Sequence, residues 1–310
     1  MSKIHTYTST GKKILRHPDL IRLLHSGKAR PHSLQLAVTN KCNLKCAFCS
    51  VAQRDSKEEL PADDILHALK LFRDLGTKTV EITGGGEPML HPYINEIVYY
   101  AYILRLQIGL ITNGTLLEKL KNPETLSWLR ISANSLDYGK EIFIPKLHKD
   151  AHLGFSYCFD YDGDSTIRTL WEVRDLAIKH NVKYVRVVPN CIGEIESKHR
   201  KIAEIVSYIG APLFYQRKTK AVYKNCLVGY IKPFLNADGY VYPCSSTVLN
   251  DDADRQFNPK YRWYHWSDAR KIYSGEIAPL DGTKCADCVF TENNQELDYI
   301  RNTQDCEEFL

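Results

Sequence analysis

Three cysteines in one short segment are the residues of this 310-residue chain best suited to carry chemistry. Cys42, Cys46 and Cys49 have the spacing C-x3-C-x2-C. A [4Fe–4S] cluster normally takes four protein thiolates, so a loop that offers three leaves one iron open to a small molecule. A zinc loop is the alternative, because zinc takes four nitrogen or sulfur ligands and His32 could supply the fourth. The spacing therefore predicts a metal site.

Regularly spaced strands and helices would position this loop. Apolar and β-branched segments predict strands at residues 34–39, 79–83, 107–111, 128–132, 154–159 and 184–188. Helical patterns cover residues 61–75, 91–104, 165–180 and 197–209. Such alternation predicts an α/β fold with a parallel sheet and right-handed crossovers. Six βα units between residues 34 and 209 are too few for a closed eight-unit barrel, so we expect a partial (β/α)6 TIM barrel.

A glycine-rich turn follows the second predicted strand. Thr83 runs directly into Gly84, Gly85, Gly86 and Glu87. Glycine permits a close backbone approach to a ligand, although a plain tight turn uses glycine for the same reason. Residues just past the carboxyl ends of barrel strands occupy the catalytic positions of that architecture. We therefore expect the turn and the cysteines to lie at one edge of the sheet.

Together these features resemble the radical S-adenosylmethionine (SAM) enzymes. The three-cysteine spacing, the aromatic Phe48 before the third cysteine and the GGE motif at residues 85–87 carry the resemblance. In that family the open iron is chelated by the amino and carboxylate groups of SAM. One electron from the reduced cluster breaks the C5′–S bond, and the resulting 5′-deoxyadenosyl radical takes a hydrogen atom from the substrate.

The resemblance also implies roles for other residues. Gly85, Gly86 and Glu87 would hold the methionine amino group of SAM. The residues that would surround the ribose and adenine are Thr112, Asn113, Ser132, Asn134 and Val188. Asparagine and serine at strand ends also serve as turn residues and helix caps, which is the alternative at these positions.

Three strand-end residues are candidates for catalysis or substrate contact. Asp160 and Tyr161 follow the fifth predicted strand, and Cys191 follows the sixth. A thiol at position 191 could return a hydrogen atom to a substrate radical, as in radical SAM epimerases. The alternative for Cys191 is a small buried residue.

Four more cysteines lie towards the carboxyl terminus, where the strand–helix rhythm stops. Cys226, Cys244, Cys285 and Cys288 flank a predicted hairpin turn at Asp238-Gly239 and form a C-x2-C pair. Four converging thiolates suit zinc or a second [4Fe–4S] cluster. The arrangement resembles the SPASM and twitch extensions of radical SAM enzymes. The SPASM pattern has a further cysteine where this chain has Asn294, so the resemblance implies one auxiliary cluster in a twitch-like β-hairpin and α extension.

The distribution of charged and apolar residues bears on the amino-terminal segment, the cellular compartment and membrane insertion. The net charge is +4, but residues 1–41 hold eight Lys or Arg against one acid, which gives +7 there and −3 elsewhere. An amphipathic helix is expected at residues 12–25, packed on the barrel. Ten cysteines without a secretory leader or an 18-residue apolar run indicate a reducing cytoplasm and no membrane span. The expected segments are a basic helical segment at 1–33, the barrel at 34–210 and the auxiliary module at 211–310.

The resemblance implies a radical SAM oxidoreductase or epimerase that acts on a small molecule or a peptide. Its cofactors would be the SAM-binding [4Fe–4S] cluster, S-adenosylmethionine and an auxiliary [4Fe–4S] cluster, and an electron donor such as flavodoxin or ferredoxin would reduce it. Two alternatives remain open. The basic segment suits modification of a nucleotide or nucleic acid, and structural metal at both sites would suit a non-catalytic zinc-stabilised binding protein.

Overall fold

The computed structural model describes residues 11–159, 164–190, 198–218, 221–250 and 254–302. The α-helices are α1 (Pro18–His25), α2 (Ala62–Asp74), α3 (Ile94–Ile103), α4 (Asp164–Lys179), α5 (His199–Ile209), α6 (Val228–Ile231), α7 (Ala269–Ile272) and α8 (Thr291–Asn302). The strands are β1 (Ser33–Ala37), β2 (Thr79–Thr83), β3 (Gln107–Thr112), β4 (Trp128–Ser132), β5 (His152–Phe159), β6 (Tyr184–Pro189), β7 (Leu213–Tyr215), β8 (Asn225–Cys226), β9 (Phe234–Leu235), β10 (Tyr240–Tyr242), β11 (Tyr264–His265) and β12 (Leu280–Asp281). Short 3-10 helices span Gly11–Arg16, Pro88–Leu90, Leu117–Lys119, Pro123–Thr125, Ala133–Tyr138, Ser245–Asn250, Pro259–Tyr261, Trp266–Asp268 and Gly282–Lys284.

One large sheet organises the fold. Its strand order is β11-β10-β9-β1-β2-β3-β4-β5-β6-β7, and the run from β9 through β1 to β7 is parallel. The hairpin of β9 and β10 and then β11 add antiparallel strands beside β1. A separate pair, β8 and β12, is antiparallel. The sheet is thus open and mostly parallel, as a partial barrel requires.

The two faces of the parallel sheet differ in chemistry. Residues that alternate along a strand point to opposite faces. Apolar residues such as Leu36, Ile82, Leu110 and Val185 cover one face and are fully buried. They form a single cluster with the apolar stripes of α2, α3, α4 and α5, so the helices cover this outer face. The opposite face, here called the inner face, carries Gln35, Glu81, Arg130, Ser156 and Arg186 in its central rows.

The strands and helices predicted for residues 34–209 agree with the structure to within a few residues, and the fold class is confirmed. Between β3 and β4, where no helix was predicted, the chain forms only 3-10 turns. Two predicted details were wrong. The expected helix at residues 12–25 is a 3-10 helix and then α1, because Pro18 starts a new helix at its first position. The parallel rhythm continues past residue 210, since β7 pairs with β6.

The amino-terminal segment packs against the carboxyl-terminal part of the chain. Leu20 and Leu24 are buried in a cluster with Leu227, Tyr230 and Leu297. The sequence placed this helix on the barrel; in the structure its apolar stripe packs on residues of α6 and α8. None of the helices in the described ranges is long and apolar enough to cross a membrane.

Candidate functional site

The first cysteine site is a loop at the carboxyl end of β1. This cysteine loop, residues 38–54, carries Cys42, Cys46 and Cys49. The Cys49 amide donates to the Cys46 carbonyl (3.1 Å), which closes a tight turn around the half-buried Phe48. The returning chain supports the loop, because the Asn40 amide donates to the Glu58 carbonyl at 2.9 Å. The loop that carries the three thiols is thus held at its start by the returning chain.

The glycine-rich turn after β2 packs directly on this loop. The Gly86 amide donates to the Thr39 carbonyl (3.0 Å), and the Glu87 amide donates to the Lys41 carbonyl (2.7 Å). A Cβ on Gly85 would collide with the Asn40 side chain, and one on Gly86 would collide with the Lys41 carbonyl. The two motifs are therefore one structural unit, and glycine is required there because the backbones touch.

The Glu87 carboxylate holds the ends of β2 and β3 together. Its side chain is 2% exposed. One oxygen accepts from the Met89 amide (3.0 Å) and from the Thr112 hydroxyl (2.6 Å), and the other accepts from the Asn113 amide (2.7 Å). Burial raises the pKa of Glu87, and these three donors oppose that rise. The carboxylate fixes the turn that touches the cysteine loop.

Side chains from two neighbouring strand ends also contact the loop. The side-chain amide of Asn113, which follows β3, donates to the side-chain oxygen of Asn43 at 2.8 Å. The side-chain amide of Asn43 donates in turn to the Thr115 hydroxyl at 2.8 Å. The Ala47 amide donates to the Tyr138 hydroxyl at 3.1 Å. Asn43 and Ala47 lie between the cysteines, so β3 and the turn after β4 set the shape of the loop.

Two arginines that the sequence did not single out bind the loop. Arg54 donates to the Asn40 carbonyl (2.7 Å) and to the Val51 carbonyl (2.7 Å), and its guanidinium lies 3.5 Å from the Cys49 sulfur. Arg255, from the far end of the chain, donates to the carbonyls of Ala47 (2.6 Å) and Cys49 (2.6 Å). These contacts place positive charge beside a thiol and connect the loop to the carboxyl-terminal region.

Burial governs the ionisation of the thiols. Burial raises the pKa of Cys42, and it raises the pKa of Cys46 to about 11, with Cys49 adding to both rises. The thiols are therefore close enough in space to influence one another. A metal or cluster takes thiolates, so binding would release these protons. The donor set and the packed glycine turn fit a cluster with one open position.

Comparison with known proteins agrees with this geometry. Residues 36–153 match the family described as Radical SAM superfamily. GTP 3′,8-cyclase of Helicobacter pylori is 36% identical over 128 residues, which are 38% of this chain and 39% of that protein. A probable GTP 3′,8-cyclase of Methanococcus maripaludis is 25% identical over 264 residues, covering 71% of this chain and 86% of that protein. Streptococcus suis SuiB, solved bound to the precursor peptide SuiA, has a TM-score of 0.52 at 15% identity and covers 94% of this chain and 71% of SuiB.

Residues 36–153, which hold the cysteine loop and the glycine turn, are thus similar to the radical SAM superfamily. The superfamily implies a [4Fe–4S] cluster and SAM. This chain spans about two fifths of the length of the Helicobacter relative. The likeness to SuiB shows the fold.

The second cysteine site lies in the carboxyl-terminal part of the chain. Cys226 is in β8, Cys244 follows β10, and Cys285 and Cys288 follow β12; all four line one cavity. Burial raises the pKa of Cys226 to about 11 and that of Cys244 still further, with other cysteines of the set contributing to both. Within the described residues, no group of three or more Cys, His, Asp or Glu side chains is arranged to hold a single metal ion. A cubane cluster spreads its thiolates over four irons and therefore holds them further apart than one ion does.

Asn294 joins three parts of this second site. It is 1% exposed and lines the same cavity. Its side-chain oxygen accepts from the amides of Leu227 (2.8 Å) and Val228 (2.9 Å), directly after Cys226, and its amide nitrogen lies 3.9 Å from the Cys288 sulfur. The sequence showed Asn294 only as a missing cysteine. The structure gives it a positive role as a bridge between two candidate ligands.

The remaining predicted residues divide between structural contacts and undescribed positions. Asn134 donates to the Cys158 carbonyl (2.9 Å) and accepts from the Cys158 amide (2.7 Å), so it joins the ends of β4 and β5. Ser132 ends β4, and Val188 pairs with Cys158 across β5 and β6. Asp160, Tyr161 and Cys191 lie outside the described residues. Their roles stay predictions.

Proposed function

We propose that this protein cleaves SAM reductively at a [4Fe–4S] cluster held by Cys42, Cys46 and Cys49. When bound, the cluster and SAM together supply a 5′-deoxyadenosyl radical that abstracts hydrogen from a C–H bond. One observation carries the proposal: the three-thiol loop and the Gly85-Gly86-Glu87 turn hydrogen-bond to each other at the carboxyl edge of a parallel sheet. The chain's own part is to hold the loop, receive the methionine end of SAM on the glycine turn and exclude water.

We further propose that Cys226, Cys244, Cys285 and Cys288 hold an auxiliary [4Fe–4S] cluster within a module at residues 211–310, after the barrel at 34–210 and the basic segment at 1–33. Their shared cavity supports this assignment. Four thiolates complete the ligation of a cubane, so this centre would exchange electrons rather than bind substrate through iron. Anaerobic protein with two clusters contains about eight irons per chain, whereas zinc at the second site leaves about four irons and one zinc.

The proposed reaction is oxidation or epimerisation of a small molecule or peptide. In an oxidation, the substrate loses one hydrogen atom to the radical, and its second electron passes to the auxiliary cluster as a proton leaves. A peptide is favoured by the fold shared with SuiB, whose structure contains its precursor peptide. A nucleotide is the second candidate, because the relatives similar in sequence carry the name GTP 3′,8-cyclase.

The deciding experiment is detection of 5′-deoxyadenosine. The protein is purified anaerobically, supplied with iron and sulfide, reduced with dithionite and incubated with SAM, and the nucleoside is quantified by mass spectrometry. We expect product from wild type and none from Cys42→Ala. Cys158→Ala is the matched control, since this cysteine lies in β5 outside both cysteine sets, and its iron content should equal that of wild type. Iron-loaded wild type that yields no nucleoside with any peptide or nucleotide pool would contradict the proposal.

A further inference from the structure

Two aromatic rings lie over glycines on the inner face of the sheet. Gly109 pairs with Trp128, and Gly154 pairs with Tyr184, across neighbouring parallel strands. A Cβ on Gly109 would collide with the Trp128 indole, and one on Gly154 would collide with the Tyr184 phenol. The glycines therefore leave room for rings that lie across the adjacent strands.

One acid on the inner face already has its own partners. Glu81 accepts a hydrogen bond from Gln35 and forms an ion pair with Lys232 at 3.4 Å. Burial opposes ionisation of Glu81, but the positive charges of Lys232 and Arg130 hold its pKa at about 2. Glu81 is therefore an ionised carboxylate whose hydrogen-bonding oxygens are occupied by residues other than Arg130.

Arg130 is different, because its guanidinium forms no hydrogen bond and no ion pair with any residue that the structure describes. Its Nε is buried without a partner, and its guanidinium carbon lies 5.4 Å from the centre of the Trp128 ring. A guanidinium carries five N–H donors and stays charged at all accessible pH values. Burying an N–H donor without an acceptor destabilises the folded state, so the unsatisfied guanidinium of Arg130 needs a physical explanation.

The position of Arg130 indicates that a ligand could supply the missing hydrogen-bond acceptor. It lies two residues before the end of β4, on the inner face below the edge that carries the cysteine loop and the glycine turn. The side chain is half-buried, so the face is open to a ligand. A carboxylate or phosphate can take two parallel N–H bonds from one guanidinium, while the Trp128 ring supports its other side.

We propose that Arg130 binds an anionic group of the substrate, a carboxylate or a phosphate, on the inner face of the sheet. This inference rests on the proposed function, since it places the substrate below the SAM site. Trp128 holds the guanidinium flat, and Glu81 keeps a negative charge near it without occupying its donors. Neutral substrates would leave the cation without an acceptor.

The test measures binding rather than turnover. Anaerobic holoprotein is titrated by calorimetry with pyrophosphate, with malonate and with S-adenosylhomocysteine, all at constant ionic strength. The proteins are wild type, Arg130→Gln, Arg130→Lys and the control Arg200→Gln, whose side chain is 92% exposed on α5. Iron content and circular dichroism establish that each variant is folded. Tight binding of pyrophosphate assigns a phosphate-bearing substrate, and tight binding of malonate assigns a carboxylate-bearing one.

We expect wild type to bind one of the two anions, pyrophosphate or malonate, and Arg200→Gln to bind that anion with the same affinity as wild type. Loss of a charge-assisted bidentate contact should weaken that binding about tenfold or more in Arg130→Gln and less in Arg130→Lys. S-adenosylhomocysteine should bind all four proteins alike. The inference is overturned if neither anion binds wild type, if Arg130→Gln binds the anion as well as wild type does, or if only S-adenosylhomocysteine binding falls, which would make Arg130 a SAM ligand. This titration needs no turnover. A failure of SAM cleavage would therefore appear in the 5′-deoxyadenosine assay and not in the anion-binding data.

Discussion

Single residues show how a buried charge can be kept in its ionised form. Glu81 lies in the middle of β2, yet its pKa is lowered from 4.5 to about 2 because Lys232 and Arg130 are close by. Glu87, in the turn that follows the same strand, has a raised pKa because burial outweighs its three neutral donors. The difference follows from the partners, since a cation favours the carboxylate more strongly than a neutral N–H or O–H does.

Glu81 should contribute to the acid sensitivity of the fold. Its pKa is depressed in the folded state, so its contribution is present above pH 4.5 and is lost as the pH falls towards 2. The depression corresponds to about 3 kcal/mol. Urea unfolding of the metal-free protein between pH 6 and pH 2.5 should show the advantage of wild type over Glu81→Gln shrinking as the pH falls. Glu204→Gln, at an exposed helical pair, should show no such trend. A constant advantage would contradict the assignment.

Between elements, the contacts that define the first site come from distant segments. Arg255 reaches the Cys49 carbonyl across 206 residues of sequence, and Val51 packs in one cluster with Val248 and Leu249. The 3-10 helix Ser245–Asn250 starts directly after Cys244. The segment that directly follows Cys244, a candidate ligand of the second site, therefore packs on the cysteine loop of the first site.

Removing the Arg255 clamp should loosen the cysteine loop. Arg255→Gln loses the charge-assisted bonds to the carbonyls of Ala47 and Cys49, a class of contact worth about 1.5–3 kcal/mol each. We expect faster amide exchange in residues 46–53 and several-fold faster release of iron to a chelator. Arg168→Gln, whose side chain is 83% exposed, serves as the control. Equal exchange and release rates in both variants would show that the clamp has no such effect.

Asn294 should decide whether the second site holds metal. Asn294→Ala leaves the Leu227 and Val228 amides buried without an acceptor, at about 1–3 kcal/mol each. We expect loss of the metal of the second site, with the SAM-sensitive electron paramagnetic resonance signal of the first cluster retained. Asn294→Asp keeps an acceptor and should retain more metal than Asn294→Ala. Unchanged metal content in Asn294→Ala would refute this bridging role.

The chain as a whole is built around one continuous sheet. β9 pairs with β1 in parallel, and Leu235, Val241 and Tyr264 belong to the same apolar cluster as the barrel strands. The amino-terminal helix packs on the carboxyl-terminal helices. The segment past residue 210 therefore completes the core as well as carrying the second cysteine site.

Residues 1–210 should not fold independently. Without residues 211–310, β1 becomes an exposed edge strand, and Leu20 and Leu24 lose the apolar partners on α6 and α8. We expect this fragment to be aggregated when expressed alone, as judged by size-exclusion chromatography. Co-expression with residues 211–310 should recover soluble material. A soluble fragment with cooperative thermal unfolding would show that the core is complete without them.

Local pattern was enough to identify the strands at residues 79–83 and 128–132, the cysteine spacing and the glycine turn, because each depends on neighbours within a few residues. It missed β7, a three-residue strand that exists only through pairing with β6. It also missed Arg130, whose lack of an acceptor is visible only once the inner face is assembled, and it treated Asn294 as a mere departure from a cysteine pattern. Which cysteines, arginines and amides meet depends on contacts between distant residues, such as Ala47 and Arg255, which are 208 positions apart, and local periodicity cannot predict such contacts. The sequence thus specified the candidate ligands and their spacing, whereas long-range packing decided what surrounds them.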